Sequence, residues 1–469
     1  MPGETAPPIR PLGACEPGQG ARSSGISYQA LLDTDTRPVP PVLRLESARD
    51  LPTVRVPIER YTSRIYHDLE VEKVWKRVWQ FACREEELPE PGDHVVYEIA
   101  GIEALIVRGE DQKIRAFANT CLHRGRALKD RAGRSEVLRC PFHAWTWNLD
   151  GSIKSIPCRW DFPHVEQEDY HLREYRTGLW GGFVFINMSK ESESFESFIG
   201  ELPEHFDRWP LEDRYKEAHV AHLLRCNWKV AQEAFMEAYH VVSTHPQILA
   251  GIGDSNSQYD AWDNFSRAIT PNMTPSPHID FEPSEQEKLD VMISTSLDAE
   301  PTLRVPEDMT ARQFMAQMAR MQLQATVASV PHLSDAELND SFYYSLFPNM
   351  HPWGAYNKIV YRFRPNGSDP NTSIMDVIYL APFRGRRPAP AEIHWLDFDD
   401  PWTEAPELGS LAKIFQQDTF NFERVQRGLQ SARHSHVTFA NYQETKIRHF
   451  HALLDKYISA PSIDGGFSA

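Results

Sequence analysis

The chain has 469 residues, 41% of them hydrophobic, and a formal net charge of −17 at pH 7. That length admits two or three domains with sizeable cores, and the charge excludes a nucleic-acid binder, which would present a basic face. Six scattered cysteines make no disulfide framework, and no apolar run nears the roughly 20 residues of a membrane span, so a cytoplasmic protein off the membrane is expected.

Residues 1–52, rich in Pro, Gly, Ser and Arg, read as an extended arm. A helix is predicted from Ser63 to Gln80, where Ile65, Leu69, Val71, Val74, Trp75 and Trp79 recur close to helical spacing. Short alternating runs follow at His94–Ile99, Ala104–Arg108 and Ile114–Ala118, which predict strands of a small sheet domain. Asp150-Gly151 signals a hairpin, and Leu179–Ile186 reads as a buried strand that closes the domain.

Within that domain stand Cys121-Leu-His123 and Cys140-Pro-Phe-His143, with 16 residues between them. Two cysteines and two histidines suit a [2Fe–2S] cluster in which one iron takes both thiolates and the other both imidazoles. The competing reading is a structural zinc site. Zinc fingers usually keep the two cysteines together, whereas each half here is mixed. Two loops gripping a cluster from opposite ends fit that order better.

A second domain starts near residue 200. A helix is predicted at Trp228–Tyr239, a loop-rich stretch from Ala250 to Asp340 and, within it, a helix over Pro306–Val330 with methionines along one stripe. Strands are predicted at Ser341–Phe347, Lys358–Arg364 and Ile374–Pro382, then helices at Leu408–Leu429 and Ala440–Tyr457. His240 and His245 are five residues apart, so on a continuous helix they point roughly 140° apart. They can share a metal only if the helix ends between them, which Val241, Val242, Thr244 and Pro246 favour. With one carboxylate they would form the 2-His-1-carboxylate triad of non-haem Fe(II) oxygenases. Asp397, Asp399 and Asp400 offer carboxylates, as does Asp418. No G-x-G-x-x-G precedes a helix, so a nicotinamide or flavin would belong to another protein.

The strings Cys121-Leu-His123-Arg-Gly-Arg, Cys140-Pro-Phe-His143-Ala-Trp-Thr-Trp, Asn227-Trp-Lys…Glu233…Glu237-Ala-Tyr-His240…His245 and Asp418…Glu423…Gln426-Arg-Gly resemble the Rieske non-haem iron aromatic-ring-hydroxylating oxygenases, large (α) subunit. The resemblance covers roughly residues 55 to 460; Phe142 and Ala144 stand where that family usually has Tyr and Gly. It implies an α+β chain: a small all-β Rieske domain with a leading helix (53–195), then a helix-grip, START-like catalytic domain (196–469) with a curved antiparallel sheet and a long C-terminal helix. It implies Cys121 and Cys140 on one iron, His123 and His143 on the other, and a mononuclear Fe(II) on His240, His245 and Asp418. Glu237 would link a neighbouring subunit's cluster to this iron. NAD(P)H and flavin would act through a partner reductase, with or without a ferredoxin, and the assembly would be a homotrimer or an α3β3 complex with a small β subunit.

The implied function is a terminal oxygenase that activates O2 and hydroxylates or dihydroxylates a hydrophobic, aromatic or polycyclic substrate. Trp262, Phe265 and Met273 hint at such a pocket, with Phe235, Met236 and Val241 on its wall and Arg267 facing a substrate carboxylate. Most ring dioxygenases carry Asp where this chain has Glu237, which resembles the branch of trimethylammonium monooxygenases. The alternative is therefore a monooxygenase that hydroxylates or demethylates a small amine or aryl acid. Outside the enzyme class, an electron-transfer Rieske protein would not need residues 200 to 460, and a zinc-stabilised binding protein would hold no iron.

Overall fold

Two sheets organise the chain, and one hydrophobic core runs between them. The computed structural model describes residues 25–47, 51, 54–296 and 303–461. The first sheet has seven strands, ordered Gln80–Arg84, Phe183–Asn187, Glu174–Trp180, Ile114–Ala118, Ile102–Arg108, Asp93–Ile99 and Gly133–Arg134. A three-stranded sheet (Leu138–Arg139, Thr146–Trp147, Ile153–Ser155) follows the second Cys-His loop. The apolar runs of the sequence form these strands because both faces of the sheet are covered: Ile106 and Ala116 enter the main core, and Leu105, Val107 and Phe117 enter a second one with Cys121 and Cys140.

The second sheet has eight strands in the order Gln258–Ala261, Phe265–Thr270, Ser341–Leu346, Met350–Pro352, Ile359–Pro365, Ser373–Pro382, Arg214–Leu224 and His394–Leu396. Only the last pairing is parallel; the others form the curved antiparallel sheet that the family resemblance implied. Against it lie α1 (Trp228–Glu233), α3 (Leu411–Ser431) and α4 (Thr445–Ser459), while the short α2 (Val241–Thr244) packs in a small cluster with Ile248 and Leu249. The core joins Trp75, Phe81 and Phe183 of the first sheet region to Trp228, Phe342, Tyr361 and Phe450 of the second.

Several expectations are corrected. The arm is not extended where it is described: Tyr28–Leu32 and Pro41–Arg44 are short helices whose Tyr28, Leu31, Leu32 and Leu43 are buried, and residues 1–24 lie outside the described ones. The Tyr28 hydroxyl donates to Asp340 at 2.9 Å, which fixes the arm to the second sheet region. The helix after Ser63 is α-helical only to Glu70 and then widens into a π turn, Val71–Trp75, leaving Ile65 82% exposed. That turn brings Glu70 to Lys229 at 2.7 Å, an ion pair with both side chains fully buried. The methionine-bearing helix is Ala311–Leu323; Arg312 pairs with Asp340 and Arg320 with Asp335, so it is pinned by charge and Met321 faces solvent.

Asp376 ties the two sheets together. It sits fully buried in the Ser373–Pro382 strand and accepts from His219 Nε2 at 2.9 Å and from Arg362 Nε and Arg364 Nε at 3.0 Å each. The far ends of these guanidiniums donate to the carbonyls of Ala82 at 2.8 Å and Glu98 at 3.1 Å, in strands of the first sheet. Burial opposes its charge, yet Arg362, Arg364 and His219 hold the Asp376 carboxyl well below the usual range. Asp376→Ala would leave two buried guanidiniums without their counter-charge. The expected loss is about 3–5 kcal/mol in chemical denaturation; a loss under about 1 kcal/mol would show that the clamp holds nothing.

Candidate metal centres

The two Cys-His loops are built alike. The carbonyl of Cys121 accepts from Gly125 N and the Cys121 N–H donates to Arg126 O; the carbonyl of Cys140 accepts from Ala144 N and the Cys140 N–H donates to Trp145 O. Each loop turns through a left-handed residue at the same place, Gly125 at φ +75° and Ala144 at φ +61°. Glycine adopts that conformation freely, whereas alanine pays steric strain there.

The loops place both cysteines inside and the histidines together at the rim. Cys121 and Cys140 are buried and joined by no disulfide, and their thiols are within hydrogen-bond reach. Burial raises the Cys121 thiol's pKa, Cys140 raises it further, and the N–H groups of His123 and Arg124 aimed at the sulfur work the other way. The His123 and His143 rings lie 4.6 Å apart between centroids, and Trp145 stacks on His123 at 5.1 Å and 4°. His123 Nδ1 is buried with no hydrogen-bond partner among the described residues.

Two buried thiols on one side and two facing imidazoles on the other fit the donor set of a [2Fe–2S] cluster. They do not fit zinc. Tetrahedral zinc needs its donors within roughly 4 Å of one another. Among the described residues, the one set of three or more such donors converging within 4.8 Å is His240, His245 and Asp418.

That second set exists because the predicted helix over Trp228–Tyr239 stops at Glu233. Side chains take the N–H groups that would have continued it: the Tyr259 hydroxyl accepts from Ala238 N at 3.0 Å and Glu237 Oε2 from His240 N at 2.9 Å. His240 then caps α2, and His245 follows its end. The two rings meet edge to face, 5.4 Å between centroids. Asp418, on the buried side of α3, lies 2.7 Å from His245 Nε2 and 3.6 Å from His240 Nε2.

Neighbouring side chains fix both tautomers. His240 Nδ1 is 2.7 Å from Glu237 Oε1, and a carboxylate only accepts, so Nδ1 carries the proton. His245 Nδ1 is 2.8 Å from Gln417 Oε1, which also accepts from Gln247, so it too is the protonated nitrogen. Both Nε2 atoms face Asp418, and with each Nδ1 holding its proton it is the Nε2 lone pair that a bound metal would take. Burial disfavours charge on His240, but Glu237, by charge and hydrogen bond, and Asp418 outweigh it and raise His240 to about 9. The site therefore favours positive charge, which suits a cation.

A cavity of about 370 Å3 reaches His240 and Asp418 of the triad, with Tyr61, Glu233, Phe422 and Phe439 on its wall. The expected pocket residues lie elsewhere. Phe235 packs on Tyr361 and Phe363, Met236 is buried, and Val241 joins a small cluster with Ile248 and Leu249. Trp262 stacks on Phe265, and Met273 is core. Arg267 is fully buried, pairs with Asp260 and donates to the arm's carbonyls at Val42 and Leu45, so it meets no substrate carboxylate. Asp399 pairs with exposed Arg225, and Asp397 and Asp400 lie in the same turn, away from the triad. Sequence reasoning missed Gln417 and Tyr61; no spacing pattern marks either.

Comparison with known proteins agrees with this geometry. The family of the ring hydroxylating alpha subunit (catalytic domain) matches residues 205–460, and the Rieske [2Fe-2S] domain matches residues 78–167. The chain belongs to the ring-hydroxylating α-subunit family and carries a Rieske [2Fe–2S] domain ahead of its catalytic domain. It is 32% identical over 201 residues to the carnitine monooxygenase oxygenase subunit of Acinetobacter pittii, covering 42% of this chain and 52% of that one. It is 28% identical over 205 residues to the chlorobenzene dioxygenase α subunit of a Cupriavidus species, covering 41% and 45%. The chain thus matches about half the length of these relatives. In fold it resembles a quaternary ammonium Rieske monooxygenase (TM-score 0.63, 20% identity, 87% of this chain and 96% of that one). It also resembles a naphthalene 1,2-dioxygenase (TM-score 0.62, 16% identity, 89% and 96%). No described helix is long and apolar enough to cross a membrane.

Ala144→Gly should relieve the left-handed strain of about 1–2 kcal/mol and return part of it to chain entropy. The expected net gain is about 0.5–1 kcal/mol, read as a higher Tm of the loaded protein; a lower Tm would show that the Cβ is needed.

Proposed function

We propose that the chain is the terminal oxygenase component of a Rieske-type system, with Cys121, His123, Cys140 and His143 holding the cluster and His240, His245 and Asp418 holding a mononuclear Fe(II). The observation that carries this is the convergence of two Nε2 atoms and one carboxylate within 4.8 Å at the break between α1 and α2. When bound, the cluster supplies one-electron transfer and the mononuclear iron supplies O2 activation. Three protein ligands leave room for water, O2 and substrate. Glu237 keeps His240 in the tautomer that binds metal and offers a hydrogen-bonded link outward from it. A reductase carrying flavin and using NAD(P)H, with or without a ferredoxin, would be the electron source. A trimer in which one chain's cluster serves the next chain's iron would be the assembly, with or without a small β subunit, and the domain division would fall near residues 195 and 196.

For the substrate, a small amine that is hydroxylated or demethylated is favoured over a polycyclic hydrocarbon. The large apolar residues that suggested a polycyclic pocket are core packers, and the cavity at the triad carries a carboxyl group. The carnitine monooxygenase subunits among the relatives agree with this choice.

His240→Ala with His245→Ala should abolish O2-dependent product formation with a reductase system while the visible Rieske spectrum persists; oxygenation by the double variant would remove the triad from the account. Glu237→Gln should keep both metal sites loaded and slow turnover at least tenfold. Loss of iron instead would make Glu237 a ligand.

A further inference from the structure

The two imidazoles of the triad are held from behind by unlike groups. The His240 Nδ1 proton goes to a carboxylate, Glu237 Oε1 at 2.7 Å, whereas the His245 Nδ1 proton goes to an amide, Gln417 Oε1 at 2.8 Å. Gln247 Nε2 donates to the same amide oxygen at 3.0 Å. That second bond fixes which end of the Gln417 amide faces His245. The amide nitrogen in that place would donate to Nδ1, move the ring proton to Nε2 and leave no lone pair for a metal.

A carboxylate would accept the His245 proton more strongly than an amide does, so hydrogen bonding alone gives no reason for glutamine at 417. Charge does. His240 pairs with two carboxylates, Glu237 and Asp418, and among the described residues His245 pairs with Asp418 alone. Burial pushes the Glu233 carboxyl on the cavity wall up to about 8, so it stays uncharged at neutral pH. The triad and its supports thus carry two negative charges, which match the two positive charges of Fe(II). Fe(III) brings one more. Unmatched charge is costly in a buried site, and the side chains of His245 and Asp418 are only 4% and 5% exposed. A third carboxylate at 417 would match Fe(III) and stabilise it, whereas the neutral amide leaves the site matched to Fe(II).

We propose that Gln417 is a positioning residue that holds His245 in its metal-binding tautomer while keeping the site matched to Fe(II) and not Fe(III). The inference rests on the oxygenase reading and deepens it. Fe(II) is the form on which such triads activate O2. One electron from the cluster is all that separates it from Fe(III), and a neutral residue at 417 favours the iron's taking that electron. Glu237 supplies the charged support on the side of His240, and Gln417 the uncharged one on the side of His245.

An anaerobic redox titration of the iron-loaded protein tests this, read from the high-spin ferric EPR signal of the mononuclear iron. Gln417→Glu keeps an acceptor for His245 Nδ1 and adds one charge. It should shift the iron's preference toward the ferric form at least tenfold, a midpoint lower by about 59 mV or more. Gln417→Leu removes the acceptor without adding charge, and should weaken ferrous affinity about 10–100-fold in competition with a ferrous chelator. Gln247→Glu places the same charge one side chain farther from His245 and should shift the midpoint less than Gln417→Glu does. The visible Rieske spectrum should stay unchanged in all three. A midpoint unmoved by Gln417→Glu, an equal shift from Gln247→Glu, or ferrous affinity unmoved by Gln417→Leu would overturn the proposal. Failure of the oxygenase reading would appear separately, as a wild type that shows no mononuclear ferric signal after oxidation, and it would take the proposal with it.

Discussion

The interruption of one helix governs the catalytic half of this molecule. If α1 continued past Glu233, His240 and His245 would diverge by roughly 140° and no carboxylate could serve both. Tyr259 and Glu237 take the N–H groups of Ala238 and His240, the chain re-enters helix at Val241, and the two imidazoles turn to the same carboxylate. Asp418 can reach them because α3 presents Phe415, Asp418, Phe422 and Gln426 on its buried stripe. Gln426 in turn accepts from Asn227 N at 2.9 Å, so the helix that supplies the carboxylate also fixes the start of α1.

Buried charge does the rest of the positioning. The Glu70–Lys229 pair joins the π turn before the first sheet to α1, and Asp376 with its two arginines joins the second sheet to the first. Such pairs are costly to desolvate and add little net stability against apolar replacements, but breaking one is severe. Their value here is geometric: each ties one element to one partner. The Rieske loops use backbone bonds instead, and the repeated pattern around Cys121 and Cys140 gives a rigid cage for two thiols and two imidazoles.

Much of this was legible in the sequence, and the reasons for the rest are physical. The strand predicted at Ile114–Ala118 is found with those bounds, and the neighbouring strands differ by one or two residues, because short apolar runs bounded by turn residues mark a strand even where both faces are covered. The seven residues expected as ligands are gathered into two groups, Cys121, His123, Cys140 and His143 in one and His240, His245 and Asp418 in the other. What failed were inferences from residue type alone. Trp262, Phe265 and Arg267 read as a substrate pocket, yet aromatic stacking and the Asp260 ion pair place them in the core. The arm's two helices were hidden by its proline content, although Pro at the first turn of Pro41–Arg44 is compatible with helix. The hydrogen-bond partners of Glu233 were hidden as well, since Tyr61 and His451 lie 172 and 218 residues away in sequence.

The central claim is that one chain carries two distinct iron sites. Iron and acid-labile sulfide content of the purified protein, measured with its visible spectrum, addresses this directly. The account predicts about three irons and two sulfides per chain with a Rieske-type spectrum. Two irons per chain would contradict the mononuclear site, and a colourless protein holding zinc would contradict the cluster.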